Sequence, residues 1–310
     1  IPKLYADLMC TVDGLKAFHC GRMGLQLTPA WPLESQHELL DGYVEPKPVA
    51  TSHDGHAFGY DSLLACAWGK PTRAFGSMYA PFDSHRKVAR LPGPPYHFIS
   101  RVTQVDPDAQ NAMKAGCAIT VEYDVPQDAW YFRENGAAVM PYAVLLEAAL
   151  QPCGWLASYV GCALTREDVD LAFRNLDGTT TQFLEVTPET GTLETTTRLT
   201  NIARAGGNII VSFLVETREL ESGRVVLTMD TVFGFFPPDS LANQVGLPIK
   251  EEHRAMFDAP VMEDGVIDLT TRPERYCEKS GRLAEPMLLM LDRVTAAQPQ
   301  GGSKELGFYR

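Results

Sequence analysis

Residues of types that could do chemistry cluster in one part of this 310-residue chain. They are Trp130-Tyr131-Phe132-Arg133-Glu134-Asn135, then Val139-Met140-Pro141-Tyr142, then Glu147 and Gln151. Glu147 is the single charge in the 28 residues from Ala137 to Leu164, the most apolar stretch of the protein. Such surroundings disfavour a charged carboxylate, so the pKa should rise and leave the group partly protonated near neutrality. Gln151, four residues on, shares the same helical face. Pro141 suits the first helical position, which would leave the preceding amides free to face a ligand oxygen. A carboxyl, an amide and a helix N-terminus around one cavity suit a substrate with a carbonyl and a neighbouring hydroxyl. The alternative is a buried glutamate paired with a tyrosine or a backbone amide for structural reasons.

Other candidate motifs are weaker. Gly59-Tyr60-Asp61-Ser62-Leu63 has the form in which carrier proteins present a serine for phosphopantetheine, but no sustained helical period precedes it. Asp61 reads better as the N-cap of a short helix. His53-Asp54-Gly55-His56 lacks a third ligand at useful spacing and reads as a solvated turn, not a metal site. His97, in Pro95-Tyr96-His97-Phe98 at the start of a strand, is either a satisfied structural histidine or a group facing a pocket. No glycine-rich phosphate loop, nucleophile elbow or zinc-protease motif occurs.

The elements that must position these groups follow from composition and period. Lys and Arg total 27 against 39 Asp and Glu, a net charge of −12. That balance, with no long basic cluster, argues against nucleic acid as a partner. Seven cysteines, an odd number with no C-x-x-C pair, read as free thiols in a reducing, cytoplasmic setting. The chain opens Ile1-Pro2-Lys3 without a basic-then-apolar signal-peptide pattern, and both ends read as cuts through a longer polypeptide. Ala137–Leu164 is long enough to span a membrane, but Pro141, Glu147, Gln151 and Pro152 interrupt it and no basic anchors flank it; it reads as a helix enclosed by protein. Period-two alternation predicts strands at Asn208–Arg218 and Arg224–Phe236, with further strands at Gly116–Val125, Thr180–Val186 and Thr192–Ala203. The expected architecture is α+β, an antiparallel meander with one long helix on its concave face.

An internal repeat organises the chain. Arg90–Thr103 aligns with Arg282–Thr295 at six of 14 positions, and Met9–Gly14 resembles Met229–Gly234 at four of six. The first pair marks the start of a unit and the second its closing strand. The chain therefore reads as a slice through a tandem array, with ordered Pro- and Gly-rich connectors.

Val139-Met140-Pro141, the carboxyl six positions on and Gln151 four further resemble the helix motif of the β-hydroxydecanoyl-carrier-protein dehydratases. The run MPYAVLLEAALQPCGWLASY and the linker before it are similar to the dehydratase region of polyunsaturated fatty acid synthases and iterative polyketide synthases. This resemblance implies a hotdog fold, a curved antiparallel sheet wrapped around a long central helix, working in pairs. It implies dehydration of a 3-hydroxyacyl thioester to a 2-enoyl thioester, with no metal or redox cofactor and with the acyl chain carried on the phosphopantetheine of an acyl carrier protein. In unit terms, 1–20 would close a preceding hotdog and 21–89 would be a linker. A complete hotdog would span 90–237, with a second linker at 238–281 and the start of a following hotdog at 282–310.

By the same resemblance Glu147 holds the family's carboxyl position, Gln151 the following glutamine, and Tyr131-Phe132 the place of a His-Phe pair, so the catalytic histidine is replaced by Tyr131. Met140, Pro141, Tyr142 and His97 are the expected substrate-binding residues. The reading implies a composite site in a homodimer or pseudodimer, with the base on a neighbouring hotdog. The alternatives are a non-catalytic scaffolding or carrier-docking hotdog and a hotdog thioesterase.

Overall fold

The computed structural model describes residues 3–12, 15–26, 48–242, 251, 254, 258, 266–279, 281–301 and 304–310. Parts of both expected connectors, 27–47, 243–250 and 259–265, lie outside the described residues, as do the side chains of Cys10 and Cys20.

A hairpin of β1 (Lys3–Val12) and β2 (Leu15–Gln26) opens the chain. Six strands then build one antiparallel sheet: β3 (Arg101–Val105), β4 (Ala118–Asp124), β5 (Ala172–Gln182), β6 (Thr192–Ala205), β7 (Asn208–Glu219) and β8 (Val225–Phe236). Their order is β3-β4-β6-β7-β8-β5. Short strands β9 (Ile267–Asp268), β10 (Arg293–Val294), β11 (Ala297–Gln298) and β12 (Phe308–Tyr309) follow. The helices described include α1 (Tyr60–Ala67), α2 (Pro71–Phe75), α3 (Trp130–Glu134), α4 (Tyr142–Tyr159), α5 (Pro238–Ala242) and α6 (Glu274–Cys277).

Alternation along β7 does what its period requires: Ile209, Val211, Phe213 and Val215 are buried, whereas Leu214 between them is exposed. Helix α4 packs across β4, β6 and β7, so the sheet wraps one face of it. Its opposite face is covered by the chain before the sheet. The Tyr79 hydroxyl donates to Ser158 O at 2.7 Å, and Phe58 and Phe75 pack their rings on Trp155. This double enclosure explains an apolar run without a polar stripe. No helix among the described residues is long and apolar enough to cross a membrane. After Val160 the chain turns through Gly161 at φ 91°, where a Cβ would lie 2.3 Å from the Asn111 side-chain oxygen.

The fold is the α+β hotdog. Three expectations need correction in detail. β5 runs from Ala172 to Gln182, not from Thr180 to Val186. It is an edge strand whose side chains mostly face solvent, so hydrogen bonding to β8 defines it and burial leaves no alternation to read. Pro141 is the N-cap of α4, with ψ 142°, and not its first helical residue. Gly59 takes the N-cap position of α1, which places Asp61 in the first turn.

Candidate functional site

Gln151 is the centre of the site, and its amide is fully used. Its oxygen accepts from Phe98 N–H at 2.8 Å. Its nitrogen donates to Tyr96 O at 2.9 Å and to Glu147 Oε1 at 3.2 Å. The strap that leads into β3, residues 90–100, is thereby fastened to the outer face of α4, one helical turn from the carboxyl. Glu147 is partly buried, and desolvation raises its pKa, with the Gln151 hydrogen bond opposing. Its Oε2 has no partner among the described residues. With Oε1 accepting an N–H, that free oxygen is the one suited to carry a proton.

His97 lies on the same strap and is buried at 8% exposure. Its Nδ1 is 3.0 Å from Pro92 O, while its buried Nε2 has no partner. Burial lowers its pKa, with the Pro92 carbonyl opposing, and the net effect favours the neutral ring. Tyr60 meets the ring edge-on, with centroids 6.0 Å apart.

Tyr131 packs on Phe98 of the strap, with ring centroids 6.2 Å apart, and its hydroxyl is already engaged. It is 1% exposed, its hydroxyl is 3.0 Å from that of Tyr123, and burial pushes its pKa up to about 12. A phenol so placed is ionised even less at neutral pH than an ordinary tyrosine, so little phenolate is present to act as a base. Its neighbour Trp130 donates through Nε1 to Pro95 O at 2.9 Å, tying α3 to the strap.

The helix N-terminus differs from expectation. Met140 is buried and its N–H donates to Val186 O at 2.8 Å, so that amide is not free. The first helical bond runs from Val144 N–H to Pro141 O. The amides of Tyr142 and Ala143 therefore remain unpartnered among the described residues, and the Tyr142 side chain is 48% exposed beside them. The free donors at this helix end are therefore these two amides, and not those before the helix.

Sequence reasoning missed Tyr96 and Phe98 as backbone partners of Gln151, and Tyr123 as partner of Tyr131. The Pro-Pro-Tyr-His-Phe run was a visible signal for the first pair; nothing local marks the second. Among the described residues no group of three or more His, Cys, Asp or Glu side chains could hold a metal ion. Cys66, Cys117, Cys153, Cys162 and Cys277 are free and buried.

Residues 91–229 match the FabA-like domain family. A polyunsaturated fatty acid synthase polypeptide of Thraustochytrium sp. (strain ATCC 26185 / S-3) is 33% identical over 306 residues. That match covers 90% of this chain, and the chain spans 19% of that relative's length. Among solved structures, AziG of S. sahachiroi is 15% identical over 44% of this chain and 90% of its own, with a TM-score of 0.32. A thioesterase of Haemophilus influenzae is 14% identical over 39% of this chain and 72% of its own, with a TM-score of 0.28. Residues 91–229 thus form a FabA-like hotdog domain, carried in a chain that resembles a segment of a polyunsaturated fatty acid synthase.

Proposed function

We propose that this chain is a 3-hydroxyacyl-carrier-protein dehydratase region of a multidomain fatty-acid or polyketide synthase, and that its hotdog contributes the acid to a composite site. The observation that carries the reading is Glu147: a partly buried carboxyl with a raised pKa, held through one oxygen by Gln151 and without a partner at the other among the described residues. In the proposed step a base removes the α-proton of the 3-hydroxyacyl thioester. The C–O bond at C3 breaks, and the Glu147 carboxyl protonates the departing hydroxyl to give water and a 2-enoyl thioester. The amides of Tyr142 and Ala143 would polarise the thioester carbonyl, and Gln151 positions Glu147. The acyl chain would arrive on a carrier-protein phosphopantetheine, and the step uses no metal or redox group. In this reading 90–237 is the hotdog unit, 1–20 belongs to a preceding unit, 21–89 and 238–281 are linkers, and 282–310 opens a following unit. The base comes from a neighbouring hotdog of a cytoplasmic synthase, as homodimer or pseudodimer.

The unpaired Nε2 of His97 favours a second reading, in which the base is supplied within this unit. Hydration of a short 2-enoyl thioester separates the two. The chain alone is compared with a chain continued through the next unit, each also carrying Glu147→Gln. The composite site predicts activity only in the longer protein, reduced at least about a hundredfold by Glu147→Gln. Activity in the shorter chain, lost with His97→Gln, would move the base to His97. Activity indifferent to Glu147 would make this hotdog a scaffold, and hydrolysis in place of hydration would make it a thioesterase.

A further inference from the structure

The short helix α3 is held at both ends by equivalent positions of the two repeated segments. At its first residue, Trp130 Nε1 donates to the carbonyl of Pro95 at 2.9 Å. At its last, Glu134 Oε2 accepts from the N–H of Met287 at 3.1 Å. Pro95 and Met287 occupy the same column when Arg90–Thr103 is laid on Arg282–Thr295.

The grip at the second end is extensive. Glu134 O accepts from Glu285 N–H at 2.8 Å, and Arg282 donates to Asn135 O at 3.0 Å. Arg282 is itself paired with Glu285 at 2.7 Å, and Glu285 with Arg272 at 2.5 Å. These three side chains are between 27% and 32% exposed, so their charges are partly shielded from water. The opening arginine of each repeat does the same kind of work: Arg90 donates to the carbonyls of Ala65 and Gly69 at the end of α1.

We infer that α3 is a bracket that joins this hotdog to the segment 282–291 and couples their positions. The bracket carries Tyr131 and leads through 135–140 into the N-terminus of α4. The downstream segment thereby sets the loop in front of Glu147. The bracket rests on the hydrogen bonds just given, and it deepens the proposed composite site without requiring that reaction to occur.

Amide hydrogen exchange on the whole chain tests it without an activity assay. Arg282→Ala should raise exchange about tenfold both in 284–291 and in 133–140, as expected for the loss of a charge-assisted hydrogen bond, with β6 and β7 unchanged. Trp130→Phe, which removes the bond at the other end, should raise exchange in 284–291 as well. Met290→Ser, at a side chain 87% exposed, should change neither segment. If Arg282→Ala loosens β6 and β7 as well, Glu285→Gln is the variant to read. The inference fails if 284–291 loosens while 133–140 keeps its protection, or if Trp130→Phe leaves 284–291 unchanged.

Discussion

The segments Arg90–Thr103 and Arg282–Thr295 share six of 14 residues and have different fates. In the first, Phe98 and Ile99 are each 1% exposed, and Gln151 fastens the backbone to α4. In the second, the residues in the same columns, Met290 and Leu291, are 87% and 58% exposed. Arg101 is wholly buried, donating to Asp124 at 2.7 Å, whereas its counterpart Arg293 stands 3.8 Å from Asp268 and is 56% exposed. Gly93 allows Trp68 to approach so closely that a Cβ would lie 2.1 Å from the indole; its counterpart is Glu285, which forms ion pairs instead. A repeated sequence therefore specifies a strap able to be buried, and the helix it meets decides whether it is. The second strap has no such helix among the described residues and hangs on α3 by polar bonds.

The largest expected effect breaks this comparison outright. Phe98→Ala should destabilise the chain by about 3–5 kcal/mol, because a buried aromatic leaves a cavity that close packing cannot fill. Met290→Ala, in the equivalent column, should fall within about 0.5 kcal/mol of the parent. Urea unfolding midpoints measure both, and equal losses would mean that the two straps are buried alike.

A loss of similar size follows from cutting the fastening alone. Gln151→Leu keeps apolar volume but leaves Phe98 N–H and Tyr96 O without their partner. The cost should be about 2–6 kcal/mol, at about 1–3 kcal/mol for each of the two stranded groups. No site on 282–295 should show an equivalent sensitivity. A Gln151→Leu midpoint matching the parent would show that the strap holds by packing alone.

The finest distinction is in pH. Glu147 has a raised pKa, so its folded form holds the proton more tightly than the unfolded chain does. Its contribution is fully present below the ordinary value of 4.5 and is lost as pH rises through the raised value. His97 is shifted down, so its contribution is present above the ordinary value of 6.5 and is lost as pH falls through it toward the lowered one. Glu147→Gln should flatten the fall in melting temperature as pH rises above 4.5, and His97→Gln the fall as pH drops below 6.5. Slopes unchanged from the parent in both variants would place neither group in the buried environment described.

Local sequence was enough for the elements whose physics is local. Period two marked β7 and β8 because one face of each is buried, and the unbroken apolar run marked α4 because protein covers it on both sides. The carboxyl of Glu147 was legible for the same reason: a lone charge in an apolar helix must be desolvated. The repeat was visible as matching letters. β5 lies away from its expected span because an edge strand is held by backbone bonds that any residue can make. The state of the Met140 amide was not legible because whether it is free depends on Val186, 46 positions away. Gln151 as a fastener, Tyr131 as the spent partner of Tyr123, and α3 as a bracket were decided only by tertiary structure. Each depends on a hydrogen bond between segments distant in the chain or facing in space, and such bonds need only a common donor or acceptor, which leaves no pattern in the sequence.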